Sequence, residues 1–176
     1  GDLAIAMARN IEDATIYGAD FSSEMLAVAK QKIEQLELTE RISLTECNAE
    51  DIPLEDGAVD AATVAFGVRN FEHQREALTE IKRTIRSGGH LVVLEFSNPR
   101  FALVRWCYRL YSHYILPAIG RMVSKHATAY TYLPESIDGF ASPKEFSALL
   151  EEVGFDSIKR KSQSFGIAHI YIAHKA

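Results

Sequence analysis

Arg69 and Asn70 close the run Val59-Asp-Ala-Ala-Thr-Val-Ala-Phe-Gly-Val-Arg-Asn70, and chemistry is expected there first. A guanidinium is a permanent charge with a planar fork of donors, and an amide beside it both donates and accepts. The residues before them are apolar for most of the run and do not alternate, as a parallel strand covered on both faces requires. In open α/β sheets, ligands lie beyond the carboxyl ends of such strands. Taken by itself, the stretch fits a solvated loop charge equally well. The surrounding elements decide between the two.

Gly1-Asp2 feeds into helix-forming residues with an acid at the positive helix end. Thr15 to Asp20 is a short strand that ends in a carboxylate. Ser22 and Ser23 then offer a helix cap, and Leu26, Ala29, Ile33 and Leu36 recur at helical spacing. Arg41 to Cys47 reads as a second strand, followed by the polar turn Asn48 to Asp51 and by Pro53. After the Arg69 strand, Leu78, Ile81 and Ile85 mark a helix expected to end at Gly88-Gly89. His90 to Phe96 is then a buried strand with Glu95 at its carboxyl end. Ser142-Pro-Lys-Glu145 is a capping box with proline at the first helical position, ahead of the stripe Phe146, Leu149, Leu150 and Val153. Two closing strands, around Asp156 to Ser162 and Phe165 to His174, are near enough in sequence to pair antiparallel. This alternation predicts one α/β domain over residues 1–176, a parallel sheet between helices. It is interrupted at about 98–138 by an insertion in which Trp106 and several tyrosines, Tyr130 and Tyr132 among them, mix with arginines. Such an insertion suits a wall around an apolar pocket, a membrane interface or an ordinary packing helix.

A length of 176 residues, nearly half apolar, suffices for one full core, and a net charge of -5 argues against a nucleic acid as the main partner. Cys47 and Cys107 show neither CxxC nor Cys/His spacing, so zinc and a disulfide framework lack support and a reducing, cytoplasmic setting fits. Glu12, Asp13, Asp20 and Glu24 interrupt the first residues, so no secretory signal is expected, and no apolar run reaches membrane-spanning length. Peripheral contact with a membrane surface stays open.

Asp20, Asn48-Ala49 and Phe66-Gly-Val-Arg-Asn70 each follow a strand in turn, a layout that resembles class I S-adenosylmethionine-dependent methyltransferases. The stretch from Arg83 through Gly88-Gly89 to Ser97 resembles more narrowly the ubiquinone/menaquinone-biosynthesis C-methyltransferase family. Phe66 to Asn70, Tyr132-Leu-Pro-Glu-Ser-Ile137 and Gly166-Ile-Ala-His169 resemble it too. The resemblance implies a Rossmann-like sheet, S-adenosylmethionine as methyl donor and a prenylated quinol as acceptor. It implies that Asp20 accepts from the ribose hydroxyls, that Met25 packs on adenine, and that Asn48 and the Ala49 backbone read the adenine's amino edge; a turn-stabilising Asn48 is the alternative. Arg69 would steady the oxyanion of the quinol ring and Asn70 orient its oxygen, with Tyr130, Tyr132 and His169 as weaker substrate candidates.

The sequence departs from the family pattern in places. Ala65 stands where the family often has serine, which leaves a backbone contact, and Ser87 replaces a proline. Of the family's glycine-rich loop, whose backbone approaches the cofactor's methionine portion, the last glycine, Gly1, and Asp2 remain; the resemblance thus implies a cofactor contact at Gly1 and a chain lacking the first strand. The gap would lie between the Thr15 to Asp20 and Val59 to Phe66 strands, leaving two unpaired edges through which copies of the chain could assemble. The rivals are a nicotinamide-dependent oxidoreductase, which needs a GxGxxG turn that the sequence does not contain, and a silent scaffold that kept the fold.

Overall fold

The computed structural model describes residues 1–98 and 136–176. Most of the aromatic insertion, with Tyr130 and Tyr132, lies outside the described residues. The elements run α1 (Asp2–Asn10), β1 (Ile16–Asp20), α2 (Ser23–Gln35), β2 (Ile42–Glu46), β3 (Val59–Ala65), a 3-10 turn at Val68–Asn70, α3 (Gln74–Thr84) and β4 (Ile85–Phe96). After the undescribed stretch come α4 (Pro143–Glu152), β5 (Asp156–Gln163), a second 3-10 turn at Ser164–Gly166 and β6 (Ala168–His174). Helices and strands alternate as the apolar spacing requires, and the structure is a Rossmann-like α/β fold.

Local chemistry fixes the first half. The Ser22 hydroxyl accepts from the Met25 N–H and starts α2, whose Ala29 and Ile33 are buried while Lys30, Lys32 and Glu34 face water. Ile5, Ala8, Ile16, Ile33 and Ile42 then close a small core between α1, α2 and the β1–β2 pair. Arg41 binds it together by donating to the carbonyls of Ala8 at 2.8 Å and Ala14 at 3.1 Å.

The described strands form two separate sheets, β1-β2 and β3-β4-β6-β5. β1 and β2 are parallel, as are β3 and β4, whereas β6 runs antiparallel to both β4 and β5, as the short connection demands. The larger core holds Leu78, Ile81, Ile85, Leu91, Val93, Phe146, Leu150 and Tyr171, from α3, α4, β4 and β6. β1 and β3 share no hydrogen bonds, so the sheet divides where the sequence placed a gap.

β3 stands at the edge of its sheet, as the expected gap implies. Two expectations are corrected. β3 is not covered on both faces: Ala61, Thr63 and Ala65 are exposed, while Val59, Ala62 and Val64 pack against the core beneath. Small side chains tolerate both positions, so an unbroken apolar run did not mean burial on two sides. Gly88-Gly89 does not end α3, which stops at Thr84. Lys175 Nζ donates to the carbonyls of Lys82 and Ile85, satisfying that helix end, and Gly88 and Gly89 pair with Lys175 through backbone bonds of 2.8 and 2.9 Å. Gly89 is required there because a Cβ would come within 2.5 Å of the Asp60 carbonyl oxygen.

Candidate active site

Phe66 ends the β3 ladder by donating its N–H to the Leu94 carbonyl at 2.8 Å, and then takes a left-handed backbone with φ 57°. Bulky residues rarely adopt this conformation, and its cost is of order 1–3 kcal/mol. The turn folds Val68–Asn70 back over the tip of β4, with Val68 wholly buried. Arg69 thereby reaches Glu95. Its backbone N–H donates to Glu95 Oε2 at 3.2 Å and Nη1 donates to Oε1 at 2.8 Å; Nη1 also bonds the Phe66 carbonyl, and Nε donates to the Ser136 hydroxyl at 3.2 Å. The Arg69 side chain is 9% exposed and that of Glu95 0%. Glu95 accepts in addition from the Phe96 N–H at 2.9 Å, and the Phe96 ring, stacked on Phe66, lies under the guanidinium with its centroid 5.5 Å from Cζ.

Arg69 is thus half of a buried ion pair and not an isolated charge, which leaves its Nη2 donors as the part of the fork not engaged by described residues. Asn70 is exposed beside it, its N–H donating to the Gly67 carbonyl at 2.9 Å. Sequence reasoning placed Arg69 at a strand tip but assigned Glu95 no partner. The signal was a lone carboxylate in an otherwise apolar strand, since a buried acid needs a cation or several donors.

His169 belongs to this same tip. It faces Glu95 in the β4–β6 register and is buried, with Nδ1 2.7 Å from the Ser97 hydroxyl. Tyr171, two residues along the same face, is buried with its phenol pushed up to about 12, chiefly by burial, with the Glu95 charge adding to it.

The remaining candidates gather on the smaller sheet. Asp20 ends β1; its Oδ1 accepts from the Ser22 N–H at 2.9 Å, and Oδ2 accepts from no described residue. Its backbone carbonyl holds the Cys47 N–H, so the turn carrying Asn48 and Ala49 sits at the neighbouring tip, and Met25 stands exposed in the first turn of α2. Asn48 Oδ1 accepts from the Glu50 N–H at 3.3 Å, which is the turn-stabilising role. Gly1 caps α1 against α2, where a Cβ would meet Ala29 Cβ at 2.8 Å, so helix packing accounts for that glycine. Ala65, exposed, ends β3. The structure therefore brings Asp20, Met25, Asn48 and Ala49 together at one pair of strand tips, and Arg69, Asn70, Glu95, Ser97 and His169 at another. A carboxylate with an unspent oxygen beside an exposed thioether and a polar turn fits a nucleoside. Among the described residues, no group of His, Cys, Asp and Glu could hold a metal ion, and no helix is long and apolar enough to cross a membrane.

The model of the ubiE/COQ5 methyltransferase family matches residues 1–175. The chain belongs to that family. It is 39% identical over 176 residues to the ubiquinone/menaquinone biosynthesis C-methyltransferase UbiE of Geotalea daltonii, covering 99% of this chain and 74% of that one. It is also 39% identical to the demethylmenaquinone methyltransferase of Thermus thermophilus, covering 99% and 78%. Among solved structures, a SAM-dependent methyltransferase from Aquifex aeolicus superposes with TM-score 0.68 at 19% identity over 97% of this chain and 74% of that one. The [4+2]-cyclase SpnF superposes with TM-score 0.74 at 16% identity over 98% and 70%. At these identities the superpositions bear on fold alone, and the cyclase shows that the fold hosts other reactions.

Proposed function

We propose that this family member transfers a methyl group to a ring carbon of a prenylated quinol, most directly demethylmenaquinol. The observation that carries the reading is 39% identity along essentially the whole chain to enzymes named for that reaction. Asp20 would accept from the ribose hydroxyls, with Met25, Asn48, Ala49 and the backbone at Ala65 around the nucleoside. S-adenosylmethionine, when bound, supplies an electrophilic methyl on a sulfonium. The protein's own contribution is to place the quinol ring, exclude water and steady negative charge on the ring oxygen. Arg69 fits the last task through its Nη2 donors, and Asn70 fits the orientation of that oxygen. Phe66 and Phe96 offer the ring an aromatic face.

The reading extends to a cytoplasmic enzyme that meets its lipophilic substrate at a membrane surface, and to self-association through the unpaired edges of β1 and β3. The deciding assay measures methyl transfer from labelled S-adenosylmethionine to demethylmenaquinol and to its benzoquinol counterpart. Label in the naphthoquinol product is expected. Label in neither, with S-adenosylmethionine bound in calorimetry, would favour the silent scaffold instead.

A further inference from the structure

The turn that joins β5 to β6 holds a phenylalanine out into solvent. Ser164, Phe165 and Gly166 all take positive φ, at 47°, 58° and 92°. Glycine adopts such backbone freely, whereas serine and phenylalanine rarely do. Phe165 gains no burial in return, since it is 80% exposed, more than any other large apolar side chain among the described residues. The turn is nonetheless tied to the sheet. The Ile167 carbonyl accepts from the Ser97 N–H at 2.8 Å, and the Gly166 carbonyl accepts from the Ser97 hydroxyl at 2.9 Å. Phe96 at the end of β4 faces Ala168 at the start of β6, so the turn juts from the same end of the sheet as Arg69.

Behind the phenylalanine, β5 carries Lys159, Arg160 and Lys161, all exposed and none in an ion pair among the described residues. β5 is an edge strand, paired to β6 alone. Lys159 and Lys161 share the face of Ile172 and Ile170, and Arg160 that of Tyr171, so positive charge stands on both faces. From Ser157 to Ala176 the chain has no aspartate or glutamate, although it carries 24 before that point and a net charge of -5. The hairpin is therefore a separate positive pole. Lysines along an edge also keep it from pairing with other strands. That accounts for the charge but not for the exposed ring. An aromatic side chain on a fixed turn with cations behind it matches an anionic bilayer, where the ring enters the headgroup boundary and the cations stay with the phosphates. We propose that the β5–β6 hairpin docks the protein on an anionic lipid surface, Phe165 entering the interface and Lys159, Arg160 and Lys161 meeting the headgroups. This docking rests on the reading above that the enzyme meets a lipophilic substrate at a membrane, and it supplies the surface for that meeting. Docked this way, the strand tips with Arg69 and Asn70 face the lipid from which a prenylated quinol is drawn.

The test is flotation of the whole protein with lipid vesicles. The native protein is expected to float with vesicles of phosphatidylcholine and phosphatidylglycerol, less with phosphatidylcholine alone, and less as added salt screens the headgroups. Phe165→Asn suits the left-handed backbone and removes the ring, and is expected to lower partitioning about 10-fold. Phe165→Trp, better suited to an interface, is expected to raise it. Lys159→Gln, Arg160→Gln and Lys161→Gln together are expected to lower partitioning on the anionic vesicles about 100-fold. Circular dichroism with the native strand signal separates a lost surface from a lost fold. A native protein that stays in solution with anionic vesicles, or variants that all float as the native protein does, overturns the proposal. Methyl transfer to a quinol without its prenyl tail, assayed without vesicles, reads the reaction separately. Turnover there by a protein that does not float keeps the reaction and removes this surface. Flotation by a protein that transfers no methyl keeps the surface and removes the reaction.

Discussion

Arg69 and Glu95 have to be considered together, because each answers the cost of burying the other. Removing one member of a buried pair leaves an uncompensated charge at about 3–5 kcal/mol, whereas replacing both by uncharged groups of similar size is often neutral. Arg69→Ala is thus expected to lose both turnover and about 3–5 kcal/mol of unfolding free energy. Arg69→Met combined with Glu95→Gln should recover most of the stability in urea titrations and none of the methyl transfer. Calorimetry should find S-adenosylmethionine affinity unchanged in both, since Asp20 belongs to the other pair of tips. Equal stability losses in the single and double variants would show that Glu95 does not depend on Arg69. Much of this site was legible: Asp20 and Arg69 stand at strand tips because a short apolar run ending in a charged residue leaves it nowhere else to go. The ion pair was not legible, because it depends on Phe66 adopting a left-handed backbone that a phenylalanine does not advertise. Ser97 and His169 meet only because β6 returns antiparallel beside β4, a long-range fact that neither residue's neighbours encode.

Elements held by local bonds were the ones the chain announced. Ser142 Oγ accepts from the Glu145 N–H, and the Glu145 carboxylate accepts from the Ser142 N–H at 2.8 Å; the Ser142 side chain first, and then its N–H, hold that carboxyl below its usual range. All the participants lie within four residues, so the sequence alone located the start of α4. Ser142→Ala should cost about 1 kcal/mol in denaturant unfolding without altering the slope of the transition. A larger loss would mean that the cap also orders what precedes it. The end of α3 shows the opposite case. Its last carbonyls are satisfied by Lys175 from the far end of the chain, so the nearest glycines were a poor guide to where the helix stops. Arg83 works in the same long-range way, donating to the carbonyls of Leu54 and Ile52 and to Asp56 and Glu80, which fastens the loop before β3 onto α3.

At the scale of the molecule, the two sheets set the terms. β1 pairs with β2 and β3 with β4, so on their other sides both strands present unpaired N–H and C=O groups among the described residues. Contact between the halves includes the Thr63 hydroxyl donating to the Met7 thioether at 3.5 Å, a weak bond from β3 to α1. Past Asp60, whose carboxylate pairs with Arg86 near the start of the strand, β3 lacks the devices that blunt an edge: Ala61 to Ala65 has no lysine, proline or charge, and its exposed residues are small. Such an edge pairs with another strand when one is available, and a second copy of the chain always is. Light scattering on the purified chain should accordingly give a mass above that of one copy, rising with concentration. Thr63→Lys places a charge on the exposed face of the strand, where a partner sheet would have to cover it, and should return the mass to one copy while circular dichroism keeps its strand signal. A native mass equal to one copy across the concentration range, with the sheet intact, would mean that the two edges are satisfied within a single chain.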